Sequence, residues 1–202
     1  MKAAILAVGI VLIQASTVFA QFSKGDVELS LSGSIGSWNV DTKETSASYG
    51  STEYSTQTKF FFISISPGYY LTDGLSIEPE ISFMADQHDK PAQYVLLNLS
   101  YTYMREGYTT APYVRLGYGL ANSYAVPFAN LVIGNVSDNF DVNVFNAGIG
   151  LKFILNPHVI LRTEFNYRDQ WWSHSYDDYG YSYSEDNTFS NYGLLVGFSV
   201  IL

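Results

Sequence analysis

Val27-Glu28-Leu29-Ser30-Leu31-Ser32-Gly33-Ser34-Ile35 reads as two interleaved sequences, one mostly large and apolar at the odd positions, the other small or polar at the even ones. A period of two marks a β-strand whose faces meet different surroundings, because successive side chains leave the pleat on opposite sides. The alternation returns seven more times, and the spacing predicts strands over 25–38, 58–71, 75–84, 93–105, 111–122, 142–155, 159–169 and 188–202. After Ala20 no stretch sustains a 3.6-residue apolar period.

The connections alternate in length. Thr72-Asp73-Gly74, Glu106 to Thr110 and Asn156-Pro157-His158 are short, while those after the first, third, fifth and seventh strands are longer. Short turns at one end and long loops at the other describe an all-β, antiparallel up-and-down meander of eight strands. An even strand count returns both termini to the short-turn end.

Side-chain volume decides which face is inside. One face carries Phe61, Ile63, Ile65, Pro67, Tyr69 and Leu71, then Val95, Leu97, Leu99, Tyr101 and Tyr103, then Tyr192, Leu194, Val196, Phe198, Val200 and Leu202. An eight-stranded lumen is only just wide enough for side chains to fill, so rows of this bulk would overpack it. The other face is slighter: Ser30, Ser32, Ser34 and Gly36; Ser64, Ser66 and Gly68; Gly117, Gly119 and Ala121; Gly148 and Gly150; Gly193 and Gly197. The bulky rows therefore point outward into lipid, and the expected fold is a closed transmembrane β-barrel, with no strand edge left unpaired in hydrocarbon. Aromatics near the predicted strand ends, Tyr69, Tyr101, Tyr103 and Phe153 low and Phe61, Phe83, Phe145, Tyr167 and Tyr192 high, suit two interfacial girdles.

The chain's beginning agrees with a membrane outside the cytoplasm. Lys2 precedes an unbroken apolar run of 11 residues, Ala3 to Ile13, and Val18-Phe19-Ala20 suits cleavage ahead of Gln21. The run falls short of the ~20 residues a spanning helix needs. Residues 1–20 are thus expected to be a secretory signal and 21–202 one barrel domain in a bacterial outer membrane. With no cysteine, neither a disulfide framework nor a thiolate metal site is open to it. A formal charge of −9, one unit more negative without Lys2, argues against nucleic-acid binding.

Eight charges occupy the inward register: Glu28, Glu78, Glu80 and Glu164 against Arg115, Lys152, Arg162 and Arg168. Equal numbers predict pairing, since a lone charge there would be costly. All but Arg168 lie near the short-turn end of their strands, so seven are expected to form one salt-bridge layer closing the lower lumen. Glu78 and Glu80, two apart on one strand, read as part of that network rather than as an acid/base pair.

The fourth loop, from Trp171-Trp172 through Tyr176, Tyr179, Tyr181 and Tyr183, has the Tyr-, Ser- and Gly-rich composition of binding surfaces, and equally that of a solvated loop. Asp177, Asp178, Glu185 and Asp186 lack the spacing of a known calcium loop. His88, His158 and His174 fall in three different connections, and no Ser–His pair lies on the outer wall, where a lipid-hydrolysing barrel would need one.

Ser66-Pro67-Gly68-Tyr69-Tyr70-Leu71-Thr72-Asp73-Gly74-Leu75 resembles the periplasmic hairpin of the outer-membrane β-barrel domain family, a porin-like and OmpA/OmpX-like group. Ala111-Pro112-Tyr113-Val114-Arg115-Leu116-Gly117-Tyr118-Gly119 is similar to its fifth strand. Ala147-Gly148-Ile149-Gly150-Leu151-Lys152-Phe153 and Leu161-Arg162-Thr163-Glu164-Phe165-Asn166-Tyr167 look like its sixth and seventh. The last strand is similar to the signal read by the barrel-assembly machinery, although it ends in Leu202 rather than Phe. The resemblance implies that fold and insertion by that machinery; members include adhesins, structural proteins and narrow channels, so it says little of activity. The reading is a non-enzymatic, monomeric barrel without cofactor or metal, its lumen closed, in contact with outer-membrane lipid and with an unknown extracellular ligand reached through its loops. A narrow solute channel and a lipid-modifying enzyme are the alternatives.

Overall fold

The computed structural model describes residues 22–46, 50–86, 90–105, 107–125, 139–178 and 181–202, with 37–46, 50–58, 86, 123, 173–178 and 181–187 described by backbone alone. The expected signal, His88 and Tyr179 lie outside the described residues. Eight strands follow in order: β1 (Val27–Ser46), β2 (Gly50–Thr72), β3 (Leu75–Asp86), β4 (Ala92–Thr102), β5 (Thr110–Ala121), β6 (Val142–Ile154), β7 (Val159–Asp178) and β8 (Tyr181–Ile201). Each pairs antiparallel with the next, and β8 returns to β1, closing the barrel. Gly74, at a φ of 80°, makes the tight turn from β2 to β3 that a side chain would resist.

The alternation is oriented as its volumes require. Leu97 and Leu194 are 53% and 60% exposed, whereas Ser64 and Ser100 on the other face are 5% and 0%. The inner face is nevertheless not uniformly slight. Phe62, Tyr70, Tyr94 and Trp172 turn inward and are buried, forming two apolar clusters: a lower one with Phe22, Ile160 and Ile201, and an upper one with Met84, Leu96 and Leu195. Glycines make the room. A Cβ at Gly150 would stand 2.6 Å from the Tyr113 ring.

Four strands run well past their expected ends. β1 and β2 stay paired to Ser46↔Gly50, and β7 and β8 to Asp178↔Tyr181, so most of the first and fourth loops is hairpin. In 39–46 and 173–178 polar residues occupy both parities, which erases the apolar alternation by which strands were read. Backbone pairing does not need that alternation, and Thr, Tyr and Trp favour the extended chain.

Pro67 and Pro79 sit inside strands of a sheet without an edge, where a residue that donates no hydrogen bond is out of place. The β2–β3 register, Ile65↔Ile81 on one side and Tyr69↔Ile77 on the other, sets the two prolines opposite each other. Both missing donors therefore fall on one rung, and the ladders to Leu29 and Leu97 continue on the far sides. The Ser66 hydroxyl donates to the freed Pro79 carbonyl at 2.9 Å.

Candidate functional site

Between the two apolar clusters all eight inward charges meet, as two quartets rather than one layer. In the lower, Lys152 Nζ lies 2.6 Å from Glu28 Oε2, and Arg162 reaches Glu28 Oε1 at 3.3 Å and Glu78 Oε2 at 3.4 Å. In the upper, Arg115 bridges Glu80 Oε2 at 3.0 Å and Glu164 Oε1 at 2.7 Å, while Arg168 Nη2 lies 2.6 Å from Glu80 Oε1. Each quartet holds two acids and two bases. Arg168, expected to stand apart because of its height on β7, is thus a full member. An arginine side chain is long enough to come down to a carboxylate one layer below.

Neutral groups add hydrogen bonds to most of these charges, although Arg115 Nε is left without a partner. Glu28 also accepts from Tyr70 Oη at 2.6 Å, and Arg162 donates to Ser30 Oγ at 2.6 Å. Ser82 donates to Glu80 at 2.9 Å, Ser76 to Glu78 at 2.9 Å and Asn166 to Glu164 at 2.8 Å. Tyr113 and Asn98 tie the quartets together. Tyr113 donates to Glu164 Oε2 at 2.8 Å beneath the Arg162 guanidinium, 4.9 Å from its ring centre, and Asn98 Nδ2 donates to the Glu78 carbonyl and to Glu80 Oε2. The Lys152 ammonium sits among the rings of Phe22, Tyr70 and Tyr113 at 4.8–5.6 Å from their centres. Phe22 stacks on Tyr70 and its carbonyl accepts from Gly74, so the chain's first described residue covers the lower mouth.

Phe22, Tyr70, Asn98 and Tyr113 were not foreseen. Phe22 precedes the first strand and has no parity to read; the inward parity of the other three was legible, but a cross-lumen partner depends on barrel stagger, which no local pattern carries. The ion pairs join β1 to β6, β3 to β7 and β3 to β5, none of them neighbours, so the charged side chains cross the lumen rather than line it. The arrangement strings paired charges across the lumen between the two apolar clusters. Every lumen carboxylate is engaged by a cation, and among the described residues no group of three His, Cys, Asp or Glu side chains is placed to hold a metal ion.

Trp171 and Trp172 belong to β7 rather than to a loop. Trp171 faces outward, 6.0 Å from the Tyr118 ring centre, while Trp172 turns inward, 7% exposed, against the upper apolar cluster. Tyr176, Tyr181 and Tyr183 lie on the β7–β8 hairpin, where only the backbone is described, and their side chains are outside the described residues.

The family model for the outer membrane protein beta-barrel domain matches residues 3–201. Among solved structures, Neisserial surface protein A is 16% identical, with 88% of this chain and 97% of that chain covered and a TM-score of 0.51, a likeness of fold. The N-terminal β-barrel domain of Pseudomonas aeruginosa OprF, 16% identical, covers 89% of this chain and 98% of its own at a TM-score of 0.44. OprG of the same species, 11% identical, covers 92% and 99% at 0.47. No curated protein matches the sequence. With a closed eight-stranded barrel, lipid-facing apolar rows and a family match along almost its whole length, this chain belongs to the outer membrane protein beta-barrel domain family.

Proposed function

We propose that this outer-membrane barrel is a closed, non-enzymatic one that serves envelope structure or surface interaction, with its lumen shut by paired charge and its long hairpins turned outward. The carrying observation is that six ion pairs tie strands across the lumen. Opening a pore would separate charges held in a poorly hydrated space, and each ion left alone there would cost several kcal/mol, on the order of what a whole domain has to spare. The reading includes removal of residues 1–20 on export, insertion by the barrel-assembly machinery, a monomeric state, and a surface-binding role for the fourth-loop residues Trp171, Tyr176, Tyr179, Tyr181 and Tyr183, with Trp172 turned inward.

Planar-bilayer recording of the purified protein tests it. The expected result is no stable open level at either polarity. A sustained open state of the unmodified protein would overturn the closed reading in favour of a narrow solute channel.

A further inference from the structure

The barrel wall is not uniform at its seam. Neighbouring ladders such as β7–β8 run from one end to the other, but among the described residues the β1–β8 ladder extends only from Glu28↔Ile201 to Gly33↔Val196. Above that rung β1 and β8 each continue, paired to β2 and β7 respectively. A cavity of about 400 Å³ lies there. Its lining draws on both faces of β8: Leu195 and Gly193 from the lumen side, Tyr192 and Ser190 from the outer side. A single space bounded by both faces of one strand passes through the wall.

Its chemistry is mixed in a particular way. The inner walls are Phe62, Met84, Tyr94 and Leu195, and the floor is Arg168. That cation is already matched by Glu80 at 2.6 Å and covered by the Phe62 and Tyr94 rings, 4.4 and 5.1 Å from its guanidinium carbon. The cavity therefore offers apolar contact and neutral hydrogen-bonding groups, but no surplus positive charge to draw an acid. Outside the seam, Ile35 at 82% and Tyr192 at 75% exposure continue the lipid-facing rows. The mouth thus opens at the upper aromatic girdle, where the Ser190 hydroxyl accepts from Tyr167 and donates to the Asp169 carboxylate on the outer face and acyl chains meet the polar boundary just below. At the small end of ligand cavities, which run ~300–1,000 Å³, the space suits one chain rather than two.

The geometry points to a lateral binding site for a single-chain, uncharged amphiphile, such as a medium-chain alcohol, that enters from the outer leaflet between β1 and β8. The chain lies against Phe62, Met84, Tyr94 and Leu195, with its polar end reaching Asn166 and Asn191. This site stands whether or not the lumen below it conducts, because its entrance is in the wall.

Trp172 provides the readout. It packs in the upper cluster with Phe62, Met84, Tyr94 and Leu195, and the double substitution Trp38→Phe/Trp171→Phe leaves it the chain's sole tryptophan. In vesicles, an ω-brominated medium-chain alcohol is expected to quench its fluorescence saturably, and the same alcohol without bromine to reverse the quenching. Gly193→Phe is the blocking variant, because a Cβ at Gly193 meets nothing within 4 Å and the added ring enters the cavity. It should abolish the saturable phase while the folded form still migrates faster than the heated one on a gel. If that variant fails to fold, Leu195→Asn puts an amide on the apolar wall and should weaken apparent affinity about tenfold, the loss of one buried aliphatic side chain's contact. Non-saturable quenching, or equal quenching in both a folded Gly193→Phe and wild type, would overturn the proposal. So would quenching by brominated phosphatidylcholine that the alcohol cannot displace, which would mean that the cavity belongs to resident lipid.

Discussion

A methyl group at residue 148 would stand 2.5 Å from Glu164 Oε1, the oxygen that Arg115 meets at 2.7 Å. The small residues of the lumen are thus receptacles for particular charged side chains as well as a way of keeping the interior thin. Gly148→Ala has to push the carboxylate aside, and it should lower unfolding free energy in denaturant by about 2 kcal/mol, a weakened buried pair rather than a lost one. Gly193→Ala, whose new methyl meets open space, should leave it within about 0.5 kcal/mol of wild type. The proline rung makes a second prediction. Ser66→Ala removes the hydroxyl that serves the Pro79 carbonyl, and losing this part-buried hydrogen bond should cost about 1 kcal/mol. The same unfolding measurement checks it, and no loss would mean that the carbonyl finds another donor.

At the scale of the strand, legibility followed the solvent. Wherever one face meets lipid and the other the lumen, as in Ile63-Ser64-Ile65-Ser66, the alternation marked the element and its orientation together. Where β1, β2, β7 and β8 climb beyond that zone, both faces are polar, and the paired arms read as loops. The charges of the site were legible as exceptions on the inner register. Their partition into two quartets was not, because Arg168 joins Glu80 across 88 positions of sequence. The same logic separates the upper arms energetically from the barrel. Replacing residues 173–186 by a two-residue Asn-Gly turn retains the Trp172↔Asn187 rung and touches no member of either quartet. The shortened protein should keep its heat-modifiable migration, with unfolding free energy within about 1 kcal/mol of wild type. A larger loss would show that the arms hold the barrel together.

For the whole molecule, the eight lumen charges sum to zero, so the formal charge of −9 is carried by the residues other than these eight. Neutrality of the network makes it indifferent to ions in solution, since buried pairs are screened far less than exposed ones. It also makes each quartet sensitive to its own members. Glu80 is the partner of both Arg115 and Arg168, whereas Glu78 is one of two partners of Arg162, at the longer distance of 3.4 Å. Glu80→Ala should therefore cost about 3–5 kcal/mol, the range for stranding a buried ion, and Glu78→Ala clearly less. Arg162→Ala leaves Glu78 without an ion partner while Glu28 keeps Lys152 at 2.6 Å, and it should resemble Glu80→Ala, which likewise strands one ion, Arg168. Backbone closure is independent of these side chains, so circular dichroism should report unchanged strand content while the temperature of conversion to the unfolded gel band falls. Adding Arg168→Ala to Glu80→Ala removes the cation left behind, and should recover part of the loss if the damage lies in uncompensated charge. No recovery would locate it in lost packing against Phe62 and Tyr94 instead.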